Sequence, residues 1–423
     1  MTDTAAEQAV QGRRATAVEA CRSCGGPRPC PFLSLGDTPI ANALVDPTDG
    51  DPDPVHPLEV GFCPGCSLVQ LTHELPADAI FGADYPYYSS VSDTLVAHAA
   101  EHVDTFVAER SLGPDPLVIE VGSNDGYLLG RALRHGLRVL GIDPSDGPAS
   151  AARARGVPTL TAFFGRELAE EIRARSGPAE LVVANNVMAH VPALNDFVAG
   201  LAVLVADDGL VQVENPDVGS LLANNAFDTV YHEHFCYFST LAVEALFARH
   251  GLTLVDVRSF PGIHGGTLRW TASRWGRPSA AVRRRLARER DLGLADAAVY
   301  EAFGRQVPRI QADLRALLAG LRERGARIAA YGAAAKGATL LNSTGIDRTT
   351  VEYVVDGNVH KQGRAMPGAR LPIRDPSVLL VDRPDHLLLL AWNLRDEVMR
   401  QQAEYRRLGG RFIVPVPTPA IVS

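Results

Sequence analysis

The stretch Leu117-Val-Ile-Glu-Val-Gly-Ser-Asn-Asp-Gly126 restricts what this chain can fold into more than any other part of it. An apolar run carrying one acidic residue enters a glycine-punctuated turn, and Tyr127-Leu-Leu-Gly-Arg-Ala-Leu-Arg134 then reads as a helix. This order predicts a buried parallel strand, a tight turn and a helix N-terminus, the opening of a nucleotide-type α/β domain. The glycines narrow the ligand. Gly122 and Gly126 are spaced G-x-x-x-G, whereas closing a backbone around a pyrophosphate takes G-x-G-x-x-G. Glu120 at the strand end would repel a phosphate, yet it suits a ligand carrying an ammonium and a sulfonium. S-adenosylmethionine (SAM) has both and no phosphate. It is the cofactor expected at this turn, with Ser123 and Asn124 beside it.

A second carboxylate supports that expectation. Leu137-Arg-Val-Leu-Gly-Ile-Asp143 reads as the next strand, and an acidic residue at its end is placed to accept hydrogen bonds from ribose hydroxyls. Taken singly, Glu120 and Asp143 are ordinary polar strand ends; the pair at this spacing favours a cofactor site. Further strands read at 179–186 and 209–214, and 252–257 with 267–272 forms a closing hairpin joined by Pro261-Gly-Ile-His-Gly-Gly266. Ligands of such sheets lie beyond the carboxyl ends of the strands, which points to Asn185, Asn186, His190 and Glu214-Asn-Pro216. Next comes Asp228-Thr-Val-Tyr231-His232-Glu233-His234-Phe-Cys-Tyr-Phe-Ser239, the densest titratable cluster in the chain. Its H-x-H lacks the spacing of a zinc-protease helix. It does hold the parts for abstracting a proton beside a carbonyl: a histidine base, a glutamate to orient it and a tyrosine to hydrogen-bond the enolate. The bland alternative is a polar loop whose histidines cap helices.

With 423 residues the chain divides into two or three domains. A net charge of −8 gives no general attraction to nucleic acid or to anionic lipid. No apolar run approaches the ~20 residues of a membrane span, and the first eight residues lack the features of a signal peptide. A cytoplasmic protein is expected. In that compartment Cys21-x-x-Cys24 and Cys63-x-x-Cys66 read as two thiolate knuckles on one tetrahedral zinc ion, rather than as disulfides. Four sulfur ligands leave no open position, so the metal is structural. The Pro- and Asp-rich segment between the knuckles shows little strand or helix pattern. Cys30 has no partner at this spacing and Cys236 is distant; either could be a buried free thiol. Tyr85, Tyr87 and Tyr88 sit at the entrance to the cofactor domain, as packing residues or as a lid.

After a helical connector at 279–321 the α/β pattern restarts, with strands at 326–332, 351–356, 386–393 and 411–416. Lysine occurs only at 336 and 361, against 39 arginines. Gly332-Ala-Ala-Ala-Lys336-Gly337 brings backbone N–H groups, a helix start and an ammonium together, which suits a phosphate. Lys361 follows the next strand, so both lysines fall at one carboxyl edge and a diphosphate site is expected there. A purely structural Rossmann-like repeat is the alternative, and an NAD site is disfavoured by the missing fingerprint. The organisation expected is α/β throughout: a zinc-binding module at 1–75, a doubly wound SAM-methyltransferase sheet at 76–275 and a Rossmann-like nucleotide-sugar domain at 276–423.

The motifs Glu120-Val-Gly-Ser-Asn-Asp-Gly126, Asn185-Asn-Val-Met-Ala-His190, Tyr231-His-Glu-His234, His264-Gly-Gly-Thr-Leu-Arg269 and Gly332-Ala-Ala-Ala-Lys-Gly337 resemble those of the sugar C-methyltransferases of deoxysugar pathways. That family branches C3 of a nucleotide-linked 4-keto-6-deoxyhexose, and the resemblance covers nearly the whole length. It implies His234 as base, Glu233 as its orienting partner, Tyr231 as donor to the C4 oxygen, and His190 and Tyr85 lining the sugar pocket. It implies a thymidine diphosphate (TDP) moiety held by Lys336 and Lys361, with Asn186 on the substrate and Trp392 and Asn393 near the nucleobase. Some members also reduce the 4-ketone with NADPH; here Tyr85 or its neighbours would donate the proton. A TDP-4-keto-deoxysugar substrate and a monomer are expected, in a natural-product pathway.

Overall fold

The computed structural model describes residues 15–76, 80, 88–110, 112, 115–263 and 265–422. Its centre is a seven-stranded sheet in the order Thr253–Phe260, Thr267–Ser273, Val205–Pro216, Ala179–Asn185, Leu117–Val121, Arg138–Asp143, Thr159–Thr161. The last five run parallel, and Thr267–Ser273 is antiparallel to both of its neighbours. All five residues of Leu117–Val121 are buried, as a strand covered by helices on both faces must be. The hairpin read from sequence is present, but its second strand inserts between the first and the rest of the sheet. Thr159–Thr161 escaped the sequence reading because three residues carry no period. The strand order reverses at Leu117–Val121, so the crevice at its carboxyl end is the ligand position of this sheet.

The amino-terminal region is more ordered than its composition suggested. Cys30–Thr38, His56–Phe62 and Val69–Leu71 form an antiparallel sheet, completed by Cys236–Tyr237 from the middle of the chain. Register shifts between Pro31 and Leu33 and between Ser34 and Asp37 break the two-residue alternation, which is why the strand pattern was missed.

The connector forms helices Ala280–Asp291 and Ala297–Glu323. The longer one lies on the amino-terminal sheet, where Tyr300 stacks on Phe62 at 4.5 Å and tilts against Phe32 at 5.3 Å. Gly304 makes that approach possible, since a Cβ there would run into the Phe32 carbonyl. The carboxy-terminal sheet has six strands in the order Ile373–Arg374, Val354–Val355, Ile328–Tyr331, His386–Leu389, Arg411–Val414, Ala420–Val422. All its pairings are parallel except the last. It is tied to the amino-terminal module by the Val45–Ala365 bridge and the Arg370–Asp53 ion pair. Among the described residues no helix is long and apolar enough to cross a membrane.

Gly304→Ala tests the seating of the long helix. Helix propensity alone would favour alanine by about 1 kcal/mol. The clash, at ~1–3 kcal/mol, should win and lower the urea midpoint without changing the slope. A raised midpoint would mean that the helix does not rest on Phe32.

Candidate active site

The four knuckle cysteines converge as expected. Their sulfurs lie within 4.8 Å of one another, with Cys21–Cys66 and Cys24–Cys63 each at 3.6 Å. Zn–S bonds of ~2.3 Å in a tetrahedron put sulfurs ~3.8 Å apart, so the set fits a zinc ion with no ligand missing. The Cys66 thiol, followed by nearby backbone groups and Gln70, draws the Cys21 thiol down to about 4, towards the thiolate a metal needs. Gln70 Nε2 donates to Cys21 Sγ at 3.1 Å. Of the other two cysteines, Cys236 is buried, with its thiol pushed up to about 12, whereas Cys30 is exposed.

The cofactor edge is built on the turn after Leu117–Val121. Gly122 has φ +69°, and a Cβ there would lie 2.9 Å from Val187, so a side chain is excluded twice over. Glu120 is fully buried, and among the described residues neither carboxylate oxygen has a hydrogen-bond partner. Burial, with the Asp143 and Asp125 carboxylates nearby, pushes it well above the usual carboxylate range. Burying such a carboxyl is costly unless a cation pairs with it. Ser123 Oγ, Asn185 Oδ1 and Asn186 Oδ1 are buried without hydrogen-bond partners as well. Asp143 accepts from the backbone N–H groups of Asn124 (2.8 Å) and Ser145 (2.9 Å), which holds the turn and leaves lone pairs for hydroxyls. These groups fit the ammonium, amide-like and ribose donors of SAM.

Glu214, expected beside the cofactor, is committed elsewhere. His98 Nε2 lies at 2.8 Å and Arg269 Nη2 at 2.7 Å, a buried cross-strand ion pair. Its contribution to the edge is its carbonyl, which accepts from Asn186 N at 2.6 Å.

Tyr231, His234 and His190 come together. Tyr231 Oη is 2.7 Å from His234 Nε2, the His234 and His190 rings are 4.8 Å apart, and both histidines are held by carbonyls. His234 Nδ1 faces Thr229 O at 3.1 Å and His190 Nδ1 faces Glu233 O at 2.7 Å. A carbonyl can only accept, so each Nδ1 carries the proton and each Nε2 keeps its lone pair. Burial draws His190 down to about 4, so it stays neutral.

One expectation changes here. Glu233 does not orient His234: its Oε1 accepts from Asn42 N at 2.9 Å, and the Thr229 carbonyl sets the ring instead. His232 points away, its Nε2 donating to His56 O at 3.2 Å. No sequence signal marks a backbone carbonyl, so Thr229 was not foreseeable. Tyr85 and His264 lie outside the described residues, but Tyr88 is stacked against His360 at 5.8 Å.

The two lysines meet at one turn. Lys336 Nζ donates to Asn393 Oδ1 at 3.0 Å and sits 4.9 Å above the Trp392 ring, while Lys361 Nζ donates to Ala333 O at 2.8 Å. Helix Ala335–Thr344 starts here with no side-chain cap, leaving its first N–H groups for an anion. Trp392 and Asn393 therefore hold the lysine rather than stand free beside it. The Trp392 Nε1–H also donates across the domain junction to Asp228 Oδ2 at 2.7 Å.

A reversed-order parallel sheet closed by an antiparallel hairpin, with an acidic glycine turn at its switch point, defines a SAM-dependent methyltransferase. Three family descriptions match in succession: "Putative zinc binding domain" over residues 21–81, "Methyltransferase domain" over 96–257 and "C-methyltransferase C-terminal domain" over 262–417. The chain is 38% identical to C-methyltransferase NovU of Streptomyces niveus, covering 96% of this chain and 97% of that protein. It is also 30% identical to the ubiquinone biosynthesis O-methyltransferase of Hahella chejuensis, over 23% of this chain and 42% of that one. Among solved structures, magnesium protoporphyrin IX methyltransferase of Synechocystis PCC 6803 matches with a TM-score of 0.34 at 15% identity, covering 43% of this chain and 83% of that chain. The chain belongs to the C-methyltransferase family and is a SAM-dependent enzyme of it.

Asp228 gives the junction a pH signature. Burial raises its carboxyl to about 6, with Lys336 opposing. The folded value exceeds the unfolded one, so its contribution is full below the ordinary carboxylate range and is lost as pH rises through about 6. Relative to Asp228→Asn, the native protein should lose about 3 kcal/mol between about pH 4 and about pH 7. Denaturant melts of both proteins across that range check it; parallel curves would place the charge in solvent.

Proposed function

We propose that this C-methyltransferase acts at C3 of a TDP-linked 4-keto-6-deoxyhexose, through an enolate generated by His234. The observation that carries the reading is the fixed tautomer of His234, whose basic Nε2 stands 2.7 Å from a phenol. A C–H beside a ketone is acidic enough for an imidazole base, and a phenol is the donor that an enolate oxygen requires. An O- or N-methyltransferase needs no such pair.

In the reaction Nε2 takes the C3 proton while the Tyr231 hydroxyl turns its hydrogen to the C4 oxygen. The C3–H electron pair becomes the enolate. When bound, SAM supplies an electrophilic methyl group to that carbon and leaves as its thioether. Neutral His190 lets the imidazolium form without like-charge repulsion. Glu120 and Asp143 would hold the donor, with Ser123, Asn124 and Asn185 around it and Asn186 towards the sugar. Phe163, exposed just past the edge strand beside Asp143, offers a ring face for the adenine. Lys336, Lys361 and the open helix start would take the diphosphate, and the likeness to a C-methyltransferase over nearly the whole chain supports methyl transfer to carbon.

Incubation with SAM and a panel of TDP-4-keto sugars in deuterated solvent, read by mass, tests the reading. The product should gain one methyl group, and deuterium should enter C3 without SAM. His234→Ala should abolish both; retained C3 exchange would make another residue the base. Tyr231→Phe should cut kcat by ~10²–10³-fold with SAM affinity unchanged. Lys336→Ala should raise KM for the sugar nucleotide by roughly 10–100-fold, the worth of one charge-assisted bond.

A further inference from the structure

The segment carrying His234 is fastened on two sides: Glu233 O accepts from His190 Nδ1 and Phe238 O from Val218 N, both in the middle domain, while the strand that follows His234 belongs to the amino-terminal sheet. Cys236–Tyr237 is the fourth strand of the amino-terminal sheet, pairing antiparallel with Gln70 and Val69. Leu71 N donates to Phe235 O at 3.0 Å. Upstream residues are tied to the same module in turn: His232 to His56 O, Glu233 to Asn42 N, and the Phe235 ring lies 5.2 Å from the Arg22 guanidinium. By contrast, the bonds of Gly122 and Asp143 run to Ile142, Asn124 and Ser145, inside the middle sheet.

Gln70 joins this pairing to the four-cysteine centre. It is fully buried on the strand that pairs with Cys236. Its Oε1 accepts from Arg22 N at 3.0 Å, and its Nε2 donates to Cys21 Sγ at 3.1 Å. Arg22 follows the first cysteine directly, and Val69–Leu71 begins three residues after the last one. Cys63 N donates to Leu68 O at 2.9 Å, fastening the second knuckle to the start of the strand. A module of some 60 residues has too little core to stand on its own and depends on a staple. Taking the metal away removes the four bonds that join the two knuckles and leaves thiols that do not hold them together.

We infer that the four-cysteine centre positions the catalytic segment 231–237, with Gln70 as the positioning residue that couples the two. This rests on the assignment of the base to His234. The metal then serves catalysis without meeting substrate: it fixes the strand against which the base is aligned, and the cofactor edge is assembled without it.

The test uses the full chain, prepared with zinc, stripped by chelator under reducing conditions, and as Gln70→Ala and the near-isosteric Gln70→Met. Backbone amide exchange read by mass on peptides spanning 231–237, release of the C3 hydrogen and SAM affinity by calorimetry are measured on each. In the stripped protein and both variants, amide exchange over 231–237 should rise ~10-fold or more, about 1.4 kcal/mol of lost protection. C3 hydrogen release should fall by a similar factor, and SAM affinity should stay within about twofold. Unchanged protection over 231–237 overturns the inference. So does a loss of SAM affinity alongside it, since the metal would then be holding up the whole chain. Loosening of 231–237 with C3 release at the native rate would uphold the scaffold and overturn His234 as the base.

Discussion

The hydrogen bond from His234 Nδ1–H to the Thr229 carbonyl is the constraint on which the rest of the site depends. It decides which ring nitrogen keeps a lone pair, and so which side of the imidazole can receive a proton. The surroundings hold that bond from two directions. Asp228, the residue before Thr229, is gripped by Trp392 of the carboxy-terminal domain, and the chain after His234 is stitched into the amino-terminal sheet. His234 thus sits where all three parts of the molecule meet, although Asp228 to Ser239 form a single twelve-residue stretch.

Electrostatics divide the work. At the cofactor edge a buried carboxyl without a hydrogen-bond partner among the described residues lies close to two others, which is costly when charged and is relieved by a cation. At the far edge Lys336 and Lys361 donate to Asn393 Oδ1 and Ala333 O; burial lowers both ammonium groups, and the Asp228 and Asp356 carboxylates oppose that fall. His190, beside the His234 ring, is kept neutral by burial.

Much of this was legible in the residues themselves. The strand, turn and helix at 117–134 could be read because apolar continuity and glycine placement are local properties. The knuckle spacing gave the metal set for the same reason. Glu214 and Glu233 misled, since a carboxylate near a strand end or a histidine looks available until its partner is known. Those partners, Arg269 with His98 and the backbone of Asn42, are distant in sequence. The bulged strands of the amino-terminal sheet hid because inserted residues erase the alternation that marks a strand.

By itself, then, the sequence determined the elements whose cause lies within a few residues: the parallel strands, the acidic glycine turn, the thiolate knuckles, and the kinds of side chain available for proton transfer. Tertiary structure alone decided which of them touch. The insertion of Thr267–Ser273, the recruitment of Cys236–Tyr237 into a sheet begun some two hundred residues earlier, and the carbonyl that selects the His234 tautomer all arise from backbone groups. Every residue but proline offers the same N–H and C=O, so no composition or spacing announces where those bonds will fall.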